Sequence, residues 1–305
     1  MEYILEINQV RKTYGPKVAV DDVSLRVPRA SIFGLLGPNG AGKTSLIRMI
    51  TTITRPDSGH IRLMGEPLSA HHPELIGYLP EERGLYRRMR VGEHLLYLGR
   101  LKGMTKDQAT TAASRWLEKL ELMDRWDQPV ETLSKGLQQQ VQFVATVLHD
   151  PPLLILDEPF SGLDPVNTNR LKDEIRQLAR QGVTIIFSTH RMEQVEEICQ
   201  YIALIDKGQT VLEGPVPEVR QRFKRHHYEL KYRGTLPPNF VDQFSVVDQG
   251  DQCAMLAWPP DQPSNELLTA LLQQGIEIQS FSELLPSLNE IFIQQVRKVA
   301  NIATT

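Results

Sequence analysis

Eight consecutive residues, Gly37-Pro38-Asn39-Gly40-Ala41-Gly42-Lys43-Thr44, fit the spacing G-x-x-x-x-G-K-[ST]. Glycines let the main chain bend around an anion, so that successive N–H groups and the start of the following helix converge on phosphate. At this spacing Lys43 reaches the β- and γ-phosphates of a nucleotide, and the Thr44 hydroxyl becomes a ligand for Mg²⁺. Ser45 completes the expected nucleotide-binding segment. An apolar run precedes the loop and a helical pattern follows it, which is the context the mechanism requires.

A second group of reactive residues follows the apolar run Leu153-Leu154-Ile155-Leu156, which ends in Asp157-Glu158. A buried strand ending in two acids delivers carboxylates to the C-terminal end of a parallel sheet, where ligands bind. Asp157 can hold Mg²⁺ through water, and Glu158 is placed to orient and deprotonate the water that attacks a γ-phosphate. Many strands end in acids, so this pair takes its meaning from the phosphate loop. His190 directly follows the run Thr184-Ile185-Ile186-Phe187-Ser188-Thr189. At a strand end it can hydrogen-bond a γ-phosphate, although a solvated loop histidine is the commoner outcome for a lone residue. The other seven histidines form no metal-binding pair at i,i+4 and take that plainer reading.

The elements needed to hold these groups are legible as alternating strands and helices up to about residue 214. Strands are expected at Ile4–Val10, Ile32–Leu36, Ile61–Met64, Leu153–Leu156, Thr184–Ser188 and Tyr201–Ile205, with helices at Thr44–Thr52, Asn167–Gln181 and Met192–Cys199. The alternation predicts an α/β domain with parallel strands at its centre. Residues 85–150 break the rhythm with helical patterns at 91–102, 106–120 and 136–149, and read as a helical insertion. In the last of these, Leu137, Val141, Val144 and Leu148 make one apolar face. After Gly214-Pro215 a basic stretch leads into short strand and helix candidates, Tyr228–Tyr232, Ala254–Trp258, Asn265–Gln274 and Leu285–Arg297. Residues 215–305 are therefore expected to form a small α+β accessory domain.

Composition narrows the function classes. A net charge of −3 gives no global basic field for nucleic acid. Cys199 and Cys253 make neither a disulfide framework nor a metal spacing, and read as reduced thiols. No window approaches the roughly 18 continuous apolar residues of a membrane span, and the first residues lack the basic-then-apolar pattern of a signal peptide. Service to a membrane would have to run through a partner.

Six features in order, Tyr14, the phosphate loop, Leu133-Ser134-Lys135-Gly136-Leu137, the Asp157-Glu158 strand, Ser161-Gly162-Leu163-Asp164 and His190, resemble the ATP-binding-cassette ATPases. The resemblance covers residue 4 to about 214 and implies a nucleotide-binding domain with a mixed sheet core. It implies that Tyr14 stacks on adenine. It further implies that Ser134 and Gly136 belong to the signature segment, which contacts the γ-phosphate held by the opposite subunit, and that Asp164 lies in the loop coupling the two sites. The resemblance thus implies a head-to-tail, ATP-dependent homodimer. A start of helix favours an anion, which suits the Ser134 region physically.

Two departures stand out. The usual signature is Leu-Ser-Gly-Gly-Gln, and this chain has Lys135 and Leu137 at the third and fifth positions. Where the family has glutamine after a strand, here Ile76-Gly77-Tyr78-Leu79-Pro80, this chain has Glu81. Its carboxylate either ligates Mg²⁺ or pairs with Arg83, Arg87 and Arg88 nearby. The stretch Gly77-Tyr78-Leu79-Pro80-Glu81-Glu82-Arg83-Gly84-Leu85-Tyr86, with the C-terminal appendage, is similar to ATPase subunits of type-2 exporters of the sodium-efflux kind. The expected function is ATP hydrolysis with Mg²⁺, powering export through a separate integral membrane permease, with the chain on the cytoplasmic face and no nucleic-acid partner. The competing class is a soluble ATPase of the same cassette acting on nucleic acid or the ribosome. Those factors normally carry two cassettes or a long coiled coil, and this chain has one phosphate loop and a short insertion. A phosphate-loop kinase would leave Leu133–Leu137 without a purpose.

Overall fold

A computed structural model describes residues 2–82 and 84–302; Arg83, named above beside Glu81, lies outside the described residues, as do Met1 and residues 303–305. The chain divides into two compact units, residues 1–216 and 217–305.

In the first unit Tyr3–Tyr14 (β1) and Lys17–Pro28 (β2) form an antiparallel hairpin. Strand β2 was not among the expected strands because it has no apolar run. It alternates instead, burying Val23, Leu25 and Val27 on one side with polar residues between them, the pattern of a strand wetted on one face. Ser58–Leu63 (β4) and Glu66–Pro67 (β5) complete this sheet in the order β2-β1-β4-β5. The second sheet contains Ile32–Leu36 (β3), Ile76–Leu79 (β6), Leu153–Asp157 (β7), Thr184–Ser188 (β8), Tyr201–Asp206 (β9) and Gln209–Pro215 (β10), in the order β10-β9-β3-β8-β7-β6. Its five inner and far strands run parallel, and β10 pairs antiparallel with β9, so the core is mixed. Every residue of β3, β7 and β8 is buried, as expected of parallel strands covered on both faces.

Helix Lys43–Ile50 (α1) packs Leu46, Ile47, Met49 and Ile50 into one core with Ile4, Ile7 and Val27 of the antiparallel sheet and Phe33, Leu35 and Ile155 of the parallel one. This places the helix that follows the phosphate loop between the two sheets. The insertion contains Val91–Leu101 (α2), Lys106–Lys119 (α3) and Lys135–Val147 (α4). A reciprocal cap fixes the start of α3: the Gln108 N–H donates to Thr105 Oγ1 and the Thr105 N–H donates to Gln108 Oε1. Trp116 of α3 meets Phe143 of α4 edge to face at 5.9 Å. Helices Pro165–Arg180 (α5) and Met192–Ile198 (α6) cover the sheet further along the chain.

In the second unit His227–Arg233 (β11), Ser245–Gly250 (β12), Cys253–Ala257 (β13) and Glu277–Leu284 (β14) form an antiparallel sheet ordered β12-β13-β11-β14. Helices Val216–Arg222 (α7), Phe240–Gln243 (α8), Ser264–Gln273 (α9) and Leu288–Ile302 (α10) accompany it. Tyr228, Leu230, Phe240, Leu256, Leu267 and Leu271 form its core. Strands β12 and β14 are the sheet's two edges; none of their residues is buried, and both are too polar to read as strands from sequence.

Candidate active site

The C-terminal ends of β3, β8, β7 and β6 lie side by side, because these strands are parallel neighbours. Each end delivers one of the chemical groups. Strand β3 runs into the glycine loop, whose path only glycine allows at two points. Gly37 has φ 149° and an added Cβ would lie 2.1 Å from the Ile205 carbonyl oxygen; Gly42 has φ 113° and its Cβ would lie 2.3 Å from that of Ala19. Gly42 caps α1 without a side chain, which leaves the helix's first N–H groups directed into the pocket. Lys43 Nζ donates to the carbonyls of Gly37 at 2.7 Å and Pro38 at 3.1 Å. Burial pulls the Lys43 ammonium's pKa down, and the charges of Asp157, Glu158 and Glu81 pull against that shift.

Strand β7 carries Asp157 into the same place, with 5% of its surface exposed. Burial pushes its pKa up, with the Glu81 and Glu158 carboxylates adding to the rise and Lys43 opposing it. A buried acid among acids is stabilised in its charged form by a cation.

Four hydrogen bonds fix the N–H and the carboxylate of Glu158. Its backbone takes the left-handed region at φ 49°, uncommon for a residue with a Cβ. Its N–H donates to the Ser188 carbonyl at 2.8 Å. Oε1 accepts from the His190 N–H at 2.9 Å and lies 2.7 Å from His190 Nδ1, and Oε2 accepts from the Thr189 hydroxyl at 3.0 Å. A carboxylate only accepts, so the proton of that ring pair is assigned to Nδ1.

A pocket of about 400 Å³ gathers Tyr14, residues 39–45, Glu81, Asp157, Glu158 and His190, and adds Lys17 and Ala19, which sequence reading did not single out. Tyr14 stands at its mouth, 42% exposed, with Lys12 Nζ 5.7 Å from its ring centroid. Gly37 and Pro38 support the pocket through Lys43. Glu81 forms no ion pair with Arg87, Arg88 or any other described residue.

Ser134, Gly136 and Asp164 do not line this pocket. Ser134 caps α4, its Oγ accepting from the Leu137 N–H at 3.3 Å. A Cβ on Gly136 would lie 3.0 Å from the Gly162 carbonyl oxygen, so the start of α4 abuts the loop ending at Asp164. Asp164 caps α5, accepting from the Asn167 N–H at 3.0 Å and from Asn167 Nδ2 at 2.6 Å, bonds that hold its carboxyl below the usual range.

Three residues at the site were not anticipated. Thr189, fully buried, bonds Glu158. Gln139, 1% exposed, donates to the carbonyls of Glu158 at 3.4 Å and Pro159 at 3.0 Å. Gln142, 5% exposed, donates to the Pro80 carbonyl beside Glu81 at 3.1 Å. The apolar face read from Leu137, Val141, Val144 and Leu148 did not include the glutamines of α4. The signal available was that four of them, at 138, 139, 140 and 142, stand where a solvent face would carry charges.

Residues 20–161 match the family described as ABC transporter, and residues 214–296 match the one described as "ATP-binding protein DrrA1-3-like, C-terminal domain". The chain is 42% identical over 299 residues to the "Uncharacterized ABC transporter ATP-binding protein YhaQ" of Bacillus subtilis, covering 97% of this chain and 99% of that one. It is 37% identical over 222 residues to the "Nod factor export ATP-binding protein I" of Cupriavidus metallidurans, covering 72% and 73%. A solved structure described as an ATP-binding subunit of an ABC transporter superposes with TM-score 0.68 at 29% identity, covering 72% of this chain and 93% of the other.

Proposed function

This chain belongs to the ABC transporter family as an ATP-binding, ATP-hydrolysing subunit, and on that premise we propose that it works as a head-to-tail homodimer powering export through a separate membrane permease. One observation carries the dimer: the phosphate loop, Asp157, Glu158 and His190 share a pocket that Ser134, Gly136 and Asp164 do not reach. Two copies facing each other would complete each pocket with the partner's signature segment.

In that arrangement Tyr14 stacks on the adenine. Lys43 exchanges the carbonyls of Gly37 and Pro38 for β- and γ-phosphate oxygens, joined by the N–H groups of residues 39–45. Glu158 orients the attacking water and takes its proton. His190, fixed by Glu158, presents its other ring nitrogen to the γ-phosphate. Ser134 and Gly136 meet the γ-phosphate in the opposite pocket, and Asp164 links the two sites.

The donor set suits Mg²⁺. Thr44, Asp157 and Glu81 bring one hydroxyl and two carboxylates to one pocket, hard oxygen ligands of the kind Mg²⁺ takes beside nucleotide phosphates. Bound there, the ion would neutralise charge developing on the phosphate oxygens.

Among the described residues no helix is long and apolar enough to cross a membrane. Attachment to the cytoplasmic face therefore falls to the permease, with the helical insertion as the docking element and residues 215–305 as an accessory domain. Export is the direction suggested by the similarity to the Nod factor export protein. The basic stretch after residue 219 offers little to nucleic acid. Lys224 pairs with Glu283, Arg225 with Glu290 and Arg233 with Glu277, while Arg220 donates to the carbonyls of Leu285 and Pro286. Affinity purification of the full chain from detergent-solubilised membranes should recover a multi-spanning protein; recovery of RNA or ribosomes instead would reject this reading.

A further inference from the structure

We infer that Thr189 and Gln139 are positioning residues that hold the Glu158 carboxylate so that one lone pair on Oε2 is left for the attacking water. The inference rests on the reading of Glu158 as the general base.

A carboxylate has about four acceptor sites, two on each oxygen. The His190 N–H at 2.9 Å and ring Nδ1 at 2.7 Å fill those of Oε1, and the Thr189 hydroxyl at 3.0 Å takes one of Oε2. The hydroxyl cannot turn away, because Thr189 Oγ1 also accepts from the Arg191 N–H at 3.1 Å, which directs its proton to Glu158. Without Thr189 the carboxylate is held at one oxygen, and the terminal torsion of a glutamate is broad. Packing alone does not call for threonine here. The residue is fully buried just beyond β8, a setting valine would fill with the same shape.

Gln139 acts on the backbone. Glu158 sits in a sparsely populated conformation that the surroundings must enforce. Its N–H is held by Ser188, its carbonyl accepts from the Ser161 N–H at 3.1 Å and from the Gln139 amide at 3.4 Å, and the same amide holds the next carbonyl, that of Pro159, at 3.0 Å. Burying an amide is costly compared with an apolar side chain. Gln139 lies on a helix that buries Val141, Phe143 and Val144 together with the polar Gln140 and Gln142. The Gln139 amide reaches the carbonyl of the base and that of the residue after it, which ties α4 to the backbone that carries Glu158.

The test measures steady-state ATPase of the full chain for Thr189→Val, Thr189→Ser, Gln139→Met and Glu158→Gln, with nucleotide affinity measured separately. Thr189→Val should lower kcat by about 10- to 100-fold, the scale of a small misplacement, with KM for ATP changed less than about twofold. Thr189→Ser keeps the donor and should recover most of the rate. Gln139→Met should lower kcat at unchanged nucleotide affinity, and this variant carries the test should the valine variant not fold. In the Glu158→Gln background, Thr189→Val should cost nothing further, because residues acting through one another are not additive. Full kcat in both Thr189→Val and Gln139→Met, with Glu158→Gln inactive, would overturn the inference. So would equal losses in the valine and serine variants, or losses that multiply with Glu158→Gln. Full turnover in Glu158→Gln would instead refute the reading of Glu158 itself.

Discussion

The His190 ring meets Glu158 at 2.7 Å from Nδ1 to Oε1, and the backbone N–H of the same histidine donates to the same oxygen at 2.9 Å. This joins the end of β8 to the end of β7, two parallel neighbours, through a side chain rather than through the ladder alone. From sequence, His190 was a candidate phosphate contact acting by itself. The structure gives it an earlier task, that of fixing the acid beside it, while its ring stays 61% exposed at the pocket. Any movement of the loop carrying His190 would therefore move the base as well.

Composite sites predict complementation. Ser134→Arg should abolish turnover of the homodimer while leaving nucleotide binding to the monomer intact, and Lys43→Ala should abolish it by weakening nucleotide binding. An equal mixture should recover about a quarter of the wild-type rate, since about half of random dimers are mixed and each holds one intact site of two. Concentration-independent, full-rate hydrolysis by Ser134→Arg monomers would contradict this.

Glu81 lines the pocket without an ion-pair partner among the described residues, which favours its role toward Mg²⁺ over pairing with Arg87 or Arg88. Glu81→Gln should shift the Mg²⁺ dependence of ATPase activity to higher concentration, with ATP affinity at saturating metal little changed. An unchanged Mg²⁺ titration would remove Glu81 from the ligand set.

Tyr86 is 49% exposed and packs edge to face on Tyr97 at 5.3 Å, beside His94 at 5.8 Å. Tyr86 thus combines packing contacts inside the insertion with a surface open to a partner. Tyr86→Asp should uncouple transport in the assembled system while leaving the ATPase of the isolated chain within about twofold, since an exposed substitution costs little stability. Loss of folding would assign Tyr86 to packing alone.

His94 is fully buried, neither ring nitrogen has a partner among the described residues, and burial pulls its pKa down to about 4. The unfolded chain binds its proton near pH 6.5, so between those values the unfolded state holds more protons and stability falls as pH falls. On acidification from pH 7 to 4 the wild type should lose up to about 3 kcal/mol more than His94→Phe, measured by denaturant unfolding. His149, also lowered to about 4 by burial with Lys102 beside it, titrates in the same window in both proteins and cancels in the comparison. Identical pH profiles would contradict the burial argument.

The parts of this site legible in sequence are those where chemistry demands one residue type. No other side chain than hydrogen fits at Gly37 or Gly42, and the fully buried strands β3, β7 and β8 declare themselves by unbroken apolar runs. What escaped was set by tertiary context. Strand β2 needed its partner β1 for its alternation to have a meaning. Gln139 and Gln142 look like surface residues until α4 is found buried on more than one side, and Thr189 looks like an ordinary strand residue until Glu158 turns back toward it.

The central claim is that Glu158 drives hydrolysis in a pocket closed by a second copy. The direct measurement is Glu158→Gln, followed for ATP affinity, turnover and mass in solution with ATP and Mg²⁺. The amide keeps the shape of the acid but cannot accept the water's proton, so turnover should fall by about 10²- to 10⁴-fold, the range for loss of a general base. ATP affinity should be retained, and a dimer should accumulate that disperses when ATP is replaced by ADP. Near-normal turnover, or a variant that stays monomeric with ATP bound, would contradict the account.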